Sequence, residues 1–414
     1  MAYWVRPTGI TRNGSIGPMD NPVRESGSNG SHPFDASFLT SSKRLGLKND
    51  TLKQGRLVNW IVEILKEHLK KLVASRGPTG TSAPLRYNLP KGKTSLDEVA
   101  EVIKLPKFSG QMDKNWRQVA LGLDVVSQLH RYVTALSELY LPNPFHNFEH
   151  AAHVTMATDK FMKRINWDYT HGVNSDPLTL LAIVFSALIH DADHRGVSNT
   201  RLAEEEKQMA DKYRGKSIAE IHESEMKRFR QVLVNVVLAT DIFDKELNGL
   251  RKNRWDKAFS NESLSQEENN DLRATIVIEH IMQASDVSHT MQHWHIYRKW
   301  NRRLFQELSL AYRQGRMGKD PRYVHGIRVI DPAMRTLNEC HPVNVCKNSS
   351  EFWYIQGRDW LSLTFYIIPL AKKLKDCRVF GVSSDECLNY AMQNRDEWKE
   401  RGQESLLKWW KSSD

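Results

Sequence analysis

The stretch Leu188 to Asn199, LIHDADHRGVSN, ends an apolar run by placing His190, Asp191, Asp193 and His194 within five positions. A lone His or Asp at a helix end usually caps it or satisfies a nearby backbone group. Here two further clusters repeat the arrangement. In NPFHNFEHAAHV, Asn143 is a suitable N-cap and Pro144 a suitable first helical residue, so a helix is expected from Phe145 with His146, His150 and His153 on one face. In HIMQASDVSH another apolar run ends on Asp286 and His289. Imidazole nitrogen suits zinc and other borderline cations, and carboxylate oxygen can bridge to a harder ion such as magnesium or manganese. A His/His/Asp/Asp set therefore describes a dinuclear site. Two cations ~3.5–4 Å apart ionise a water and clamp the oxygens of an in-line displacement at phosphorus. The remaining imidazoles can protonate a leaving alkoxide.

Helices must position these groups. Helical periodicity dominates from Trp116 to Leu139, Phe145 to Ile165, Leu178 to Ile189, Met226 to Leu238, Leu272 to Ala284, His293 to Leu310, Leu361 to Leu374 and Glu386 to Lys399, and strand signals are scarce. Residues 1–56, rich in Gly, Ser, Asn and Pro, read as a disordered tail. Residues 57–84 read as a basic amphipathic helix and linker, with Val58, Ile61, Val62, Leu65, Leu69 and Leu72 on one side and Lys66, Lys70 and Lys71 on the other. Such a helix can pack on its own domain, bind acidic lipid or form a homodimer through residues 57–74. The catalytic body is expected over 85–410, and the helix-poor stretch 313–350 reads as an insertion loop.

Composition narrows the class. The 414 residues carry 59 Lys and Arg against 49 Asp and Glu, a net charge of +10, but the two signs are interleaved. That gives a mild pull on phosphate-bearing ligands and no nucleic-acid stripe. The longest apolar run, Leu178 to Ile189, is too short for a bilayer span of about 20 residues, and no transmembrane segment is expected. Cys340, Cys346, Cys377 and Cys387 show no Cys-x-x-Cys spacing, which suits reduced thiols in the cytoplasm, alone or within a larger or membrane-tethered assembly.

The order His-Asn-x-x-His-Ala, His-Asp-x-x-His-x-x-x-x-Asn, Ala-Thr-Asp and x-Asp-x-Ser-His, followed by FYIIPLAKKLKDCRVFGVSSDE, resembles the class I 3′,5′-cyclic nucleotide phosphodiesterases over roughly residues 116 to 400. The resemblance implies an all-α catalytic domain of about sixteen helices with a deep pocket over two metals. It makes His150, His190, Asp191 and Asp286 the ligands of a zinc-like ion, with Asp191 bridging to a magnesium-like (or manganese) ion. It makes His146 the general acid for the departing O3′. His194, Glu220, Thr240 and Asp241 match residues that orient metal-bound waters, and Asn199 matches a brace for the motif loop.

Some positions depart from the family pattern. His153 stands where an aspartate is usual, and Phe145 where a tyrosine is frequent. The base-binding Gln-x-Gly-Phe-x-Asp is replaced: Asp359, Leu361, Ser362 and Thr364 occupy the aligned positions. Gln356, Asp359, Trp360, Ser362 and His289 are the substrate candidates. The leading expectation is hydrolysis of cyclic AMP, cyclic GMP or both to the 5′-monophosphate, ending a cyclic nucleotide signal. The alternatives are a two-metal hydrolase of another phosphoester and a degenerate domain with a regulatory or scaffolding role.

Overall fold

A computed structural model describes residues 36–76, 95–105, 114–165, 173, 176–205, 225–242, 244–259, 265–317, 362–377, 380 and 385–411. Two compact units divide the chain, residues 1–49 and residues 50–414. Of the first, residues 36–49 are described and are helical. Among the described residues there are twelve α-helices, two 3-10 helices and one π-helical turn, with no strand. The α-helices are α1 (Ala36–Arg76), α2 (Ser95–Ala100), α3 (Leu123–Glu138), α4 (Phe148–Arg164), α5 (Pro177–Ile189), α6 (Asn199–Glu205), α7 (Glu225–Ala239), α8 (Lys245–Phe259), α9 (Gln266–Asp286), α10 (Trp294–Arg313), α11 (Ile368–Asp376) and α12 (Glu386–Lys411). The all-α expectation therefore holds.

The core of the second unit is built around α5 and α9. Helix α5 is apolar on every side, as a helix enclosed by others must be, and it is started by the Asp176 side chain accepting from Thr179 N with Pro177 in the first turn. Helix α9 opens on a reciprocal capping box between Ser265 and Glu268 and runs through Ile276, Ile278, Ile281 and Met282, all buried, to Asp286. His190 with Asp191, and Asp286, thus sit where a buried helix ends.

Several boundaries differ from the sequence reading. Helix α1 begins at Ala36, not near residue 57. Leu, Lys, Gln and Arg between 36 and 56 sustain a helix without an apolar stripe, and no proline interrupts them. From Leu57 the stripe packs on this chain: Leu57, Val58, Ile61, Val62 and Leu65 join Val133, Leu136, Phe148, Ala151, Val184 and Leu188 in one cluster. Burial of each large apolar side chain is worth roughly 1.5–3 kcal/mol. The stripe is therefore already occupied within the chain, while Trp60 and Val73 of the same helix are exposed.

Trp116 to Leu139 is split into a 3-10 helix, Lys114–Gln118, and α3, with Gly122 at the break. The stretch from Leu361 also departs from a regular helix. Leu363–Ile367 forms a π-helical turn in which Ile368 N donates to Leu363 O, because Pro369 has no N–H to continue the ladder and its ring crowds the preceding turn. Of the expected insertion, 318–350 lies outside the described residues. Cys377 and Cys387 are free and buried.

Candidate functional site

The first turn of α4 is the point of largest local difference. The N-cap is Asn147, whose side chain accepts from His150 N at 3.1 Å, so the helix starts at Phe148. Asn143, the expected cap, is used elsewhere. Its Nδ2 donates to His146 O at 3.0 Å and His194 O at 2.6 Å, tying the two histidine-bearing loops together. His146 therefore lies in the loop before α4, and His150 and His153 lie on the helix.

His150 from α4, His190 and Asp191 from the end of α5, and Asp286 from the end of α9 converge. His150 Nε2 is 3.1 Å from Asp286 Oδ1 and 3.6 Å from Asp191 Oδ2. His190 Nε2 is 3.1 Å from Asp191 Oδ2 and 3.5 Å from Asp286 Oδ1. A small cation held tetrahedrally at about 2.0–2.2 Å from each ligand separates the ligand atoms by about 3.3–3.6 Å; the four separations above run from 3.1 to 3.6 Å, and His150, His190 and Asp286 offer ligand atoms all within 4.8 Å of one another. The His190 side chain is fully buried, and its Nδ1–H donates to Ala187 O at 3.0 Å. In the neutral ring this leaves a lone pair on Nε2, which is buried with no hydrogen-bond partner. An orphaned buried acceptor is costly unless something electron-poor meets it. The donor set fits a divalent cation.

Burial opposes ionisation of Asp191 and Asp286, yet the neighbouring imidazoles His190 and His150 hold both carboxyls well below the usual range. Burial likewise opposes charge on His190, while the two carboxylates raise its pKa, so a proton and a cation compete for Nε2 and metal binding there would displace the proton.

Beside this cluster lies a proton-holding pair. Glu307, from α10, accepts backbone N–H bonds from Phe145 and His146 at 2.9 Å each through Oε2, and its Oε1 accepts from His146 Nδ1. Burial works against protonating His146, but the Glu307 hydrogen bond and the charges of Asp191, Glu307 and Asp286 raise its pKa overall. His194 stacks against it with ring centroids 3.9 Å apart, and its Nδ1 accepts from Gly196 N at 3.1 Å. Burial, then the charge of His146, pushes His194 down to about 4, while the pKa of His146 is raised. His146, His194 and Glu307 also offer three grouped ligand atoms. Both Glu307 oxygens and His194 Nδ1 are already engaged, which favours proton transfer there over metal binding.

Glu307 was not singled out from sequence. Its signal was an acid on the buried stripe of α10, four positions before Ala311 and seven after Trp300. Trp300 was missed as well. Phe145 and Trp300, both buried and 5.8 Å apart, wedge the histidines: Phe145 touches His146, His150 and His289, and Trp300 touches His150, His153 and His289. Burial pushes His153 down to about 4, so the usual aspartate is replaced here by a neutral ring packed on Trp300.

Thr240 and Asp241 follow the C-terminus of α7. Thr240 Oγ1 donates to Val237 O at 2.8 Å, and Asp241 Oδ2 accepts from Asn199 Nδ2 at 2.9 Å, which links this turn to the end of the His190–Asn199 motif. Ser362 is exposed. Glu220, Gln356, Asp359 and Trp360 lie outside the described residues.

A family model described as 3′5′-cyclic nucleotide phosphodiesterase matches residues 145–226 and 218–331. A probable 3′,5′-cyclic phosphodiesterase of Caenorhabditis elegans is 27% identical over 215 residues, covering 46% of this chain and 30% of that protein. The human dual specificity calcium/calmodulin-dependent 3′,5′-cyclic nucleotide phosphodiesterase 1B is 27% identical over 196 residues, covering 42% of this chain and 33% of that protein. The chain thus spans about a third of the length of these relatives. Among solved structures, the phosphodiesterase domain of a Salpingoeca rosetta rhodopsin phosphodiesterase is similar at 19% identity and a TM-score of 0.44, over 68% of this chain and 82% of that one.

Proposed function

We propose, from the premise that this chain carries a catalytic domain of the class I 3′,5′-cyclic nucleotide phosphodiesterase family, that it hydrolyses cyclic AMP, cyclic GMP or both to the 5′-monophosphate. The observation that carries the reading is the convergence of His150, His190, Asp191 and Asp286 beside the His146–Glu307 pair. These four residues would hold a zinc ion, Asp191 would also serve a magnesium or manganese ion, and His194, Glu220, Thr240 and Asp241 would orient waters bound to it. Such a pair of cations, when bound, supplies Lewis acidity toward the phosphate and makes water nucleophilic near neutral pH.

The chain's own side chains do the rest. His146, kept protonated by Glu307, donates its Nε2 proton to the departing O3′. Phe145 and Trp300 keep the imidazoles from rotating and exclude water behind them. His289, half-buried against both rings, forms one wall of the substrate site. Hydrolysis at this site would end a cyclic nucleotide signal.

One observation supports a second reading. Ser362 is exposed and offers no flat apolar face to a purine, so the base clamp is weak unless Gln356, Asp359 or Trp360 completes it. A domain with that pocket could bind nucleotide feebly and act as a regulatory partner. Turnover of cyclic AMP, cyclic GMP and a non-cyclic phosphodiester by the purified chain with magnesium and manganese separates the readings. Hydrolysis of the cyclic substrates supports the first, metal binding without turnover supports the regulatory reading, and turnover of the other ester alone points to a different phosphoesterase.

A further inference from the structure

Arg251, on α8, is a buried cation that the chemistry above does not use. Its Nη2 donates to Leu238 O, and its Nη1 to Asp241 O at 3.4 Å and Asn248 Oδ1 at 3.3 Å. Its Nε is buried without a partner. The neighbouring Arg254 takes the Glu279 carboxylate, and among the described residues no carboxylate makes an ion pair with Arg251. A guanidinium buried against carbonyls alone is expensive to keep, more so with one N–H unmet.

What it holds is the end of α7. The last carbonyls of a helix have no partners within it, and a turn that follows them frays unless bonded from outside. Here Leu238 O and Asp241 O are taken by Arg251 from α8, while Ala239 O accepts from Gln283 Nε2 at 3.0 Å, from α9 one turn before Asp286. The Asp241 carboxylate is fixed in turn by Asn199 and by Asp244 N at 3.2 Å. A cation at the C-terminal end of α7 also meets the negative pole of that helix.

We propose that Arg251 is a positioning residue: it fixes the Ala239–Asp241 turn so that Thr240 and Asp241 present a rigid edge to the water shell of the second cation. The part of this inference that concerns that cation rests on the two-cation reading above. Water-mediated binding depends on outer residues held to within about 0.5 Å, and loss of such support lowers metal affinity about 10- to 100-fold.

The test uses the full chain loaded with zinc, in wild-type form and as Arg251→Met and Arg251→Lys. Three quantities are read: amide hydrogen exchange at residues 239–242, manganese affinity by calorimetry, and retained zinc. Arg251→Met should keep its zinc, exchange faster only in that turn and bind manganese about 10- to 100-fold more weakly, and Arg251→Lys should recover part of each effect. Wild-type exchange and manganese affinity in Arg251→Met would overturn the proposal. So would loss of zinc and of protection throughout both variants, which would mark Arg251 as a general structural residue. If the wild-type chain bound no manganese, the two-cation reading would fall, while local exchange in Arg251→Met would still decide whether Arg251 braces the turn.

Discussion

Glu307 and His146, 161 positions apart, meet through two hydrogen bonds, from the imidazole Nδ1–H and the backbone N–H of His146, and the backbone N–H of Phe145 gives the same carboxylate a third. One carboxylate thus sets the loop, the ring orientation and the charge of the imidazole together. The ring itself lies 5.9 Å, centroid to centroid, from that of His150.

Glu307→Gln should therefore lower kcat by about 10- to 100-fold with little change in KM and no loss of metal. The amide has a single accepting oxygen, so it keeps either the Nδ1–H bond or the two backbone N–H bonds, and it cannot stabilise the imidazolium. Steady-state kinetics alongside metal analysis check this, and equal losses of metal and kcat would show that Glu307 shapes the metal cluster instead.

Single substitutions at His146 and Asp286 should separate proton transfer from metal binding. His146→Ala should retain metal and fold while turnover falls ~10²- to 10⁴-fold. Asp286→Ala should weaken metal binding directly, since it removes one corner of the four-atom cluster. Metal lost equally from both variants would contradict this division of roles.

The contact between α1 and α4 should give stability an acid dependence. Asp159 accepts from His68 Nε2 at 2.9 Å and pairs with Lys163 at 2.9 Å, and Glu67 pairs with Lys71 at 2.7 Å and Lys163 at 2.8 Å. Burial raises both carboxyl pKa values, but these partners outweigh it and leave them below their ordinary values of 3.8 and 4.5. A folded pKa below the unfolded one means that the stabilisation is fully present above the unfolded value and is lost as pH falls through the folded one. Asp159→Asn should therefore lower stability by about 2 kcal/mol near neutrality. The gap to wild type should hold down to about pH 4 and close below it. Denaturant melts across pH 2–7 measure this, and a gap that widened with acid would contradict it.

Cys377 and Cys387 should resist alkylation in the folded chain. Burial pushes each thiol up to about 12, so the thiolate is scarce as well as inaccessible. Peptide mapping after iodoacetamide at pH 7.5 should find both unlabelled until denaturant is added; rapid native labelling of either would count against the packing described.

The parts of the site legible in sequence were those whose geometry is local. His190, Asp191 and His194 are brought together by one turn at the end of α5, and Asp286 ends an apolar helix whose period is plain. Glu307 was illegible because its partner lies on another helix, and within α10 it reads as one more polar residue. The start of α4 was misread for a related reason. Asn143 and Asn147 are equally good local caps, and the tertiary bond from Asn143 to His194 O, beside its local bond to His146 O, decides between them. The early start of α1 at Ala36 depends on helix propensity without amphipathic patterning, to which periodicity is blind.

The most direct measurement of the central claim is titration of zinc into metal-free protein, in magnesium-containing buffer, while conversion of cyclic AMP and cyclic GMP to their 5′-monophosphates is followed. Turnover should rise with the first equivalent of zinc and then level off, and Asp286→Ala should show no such rise at the same concentrations. Full turnover without added zinc in protein shown to be metal-free, or a tightly bound equivalent that brings no turnover of either nucleotide, would contradict the account.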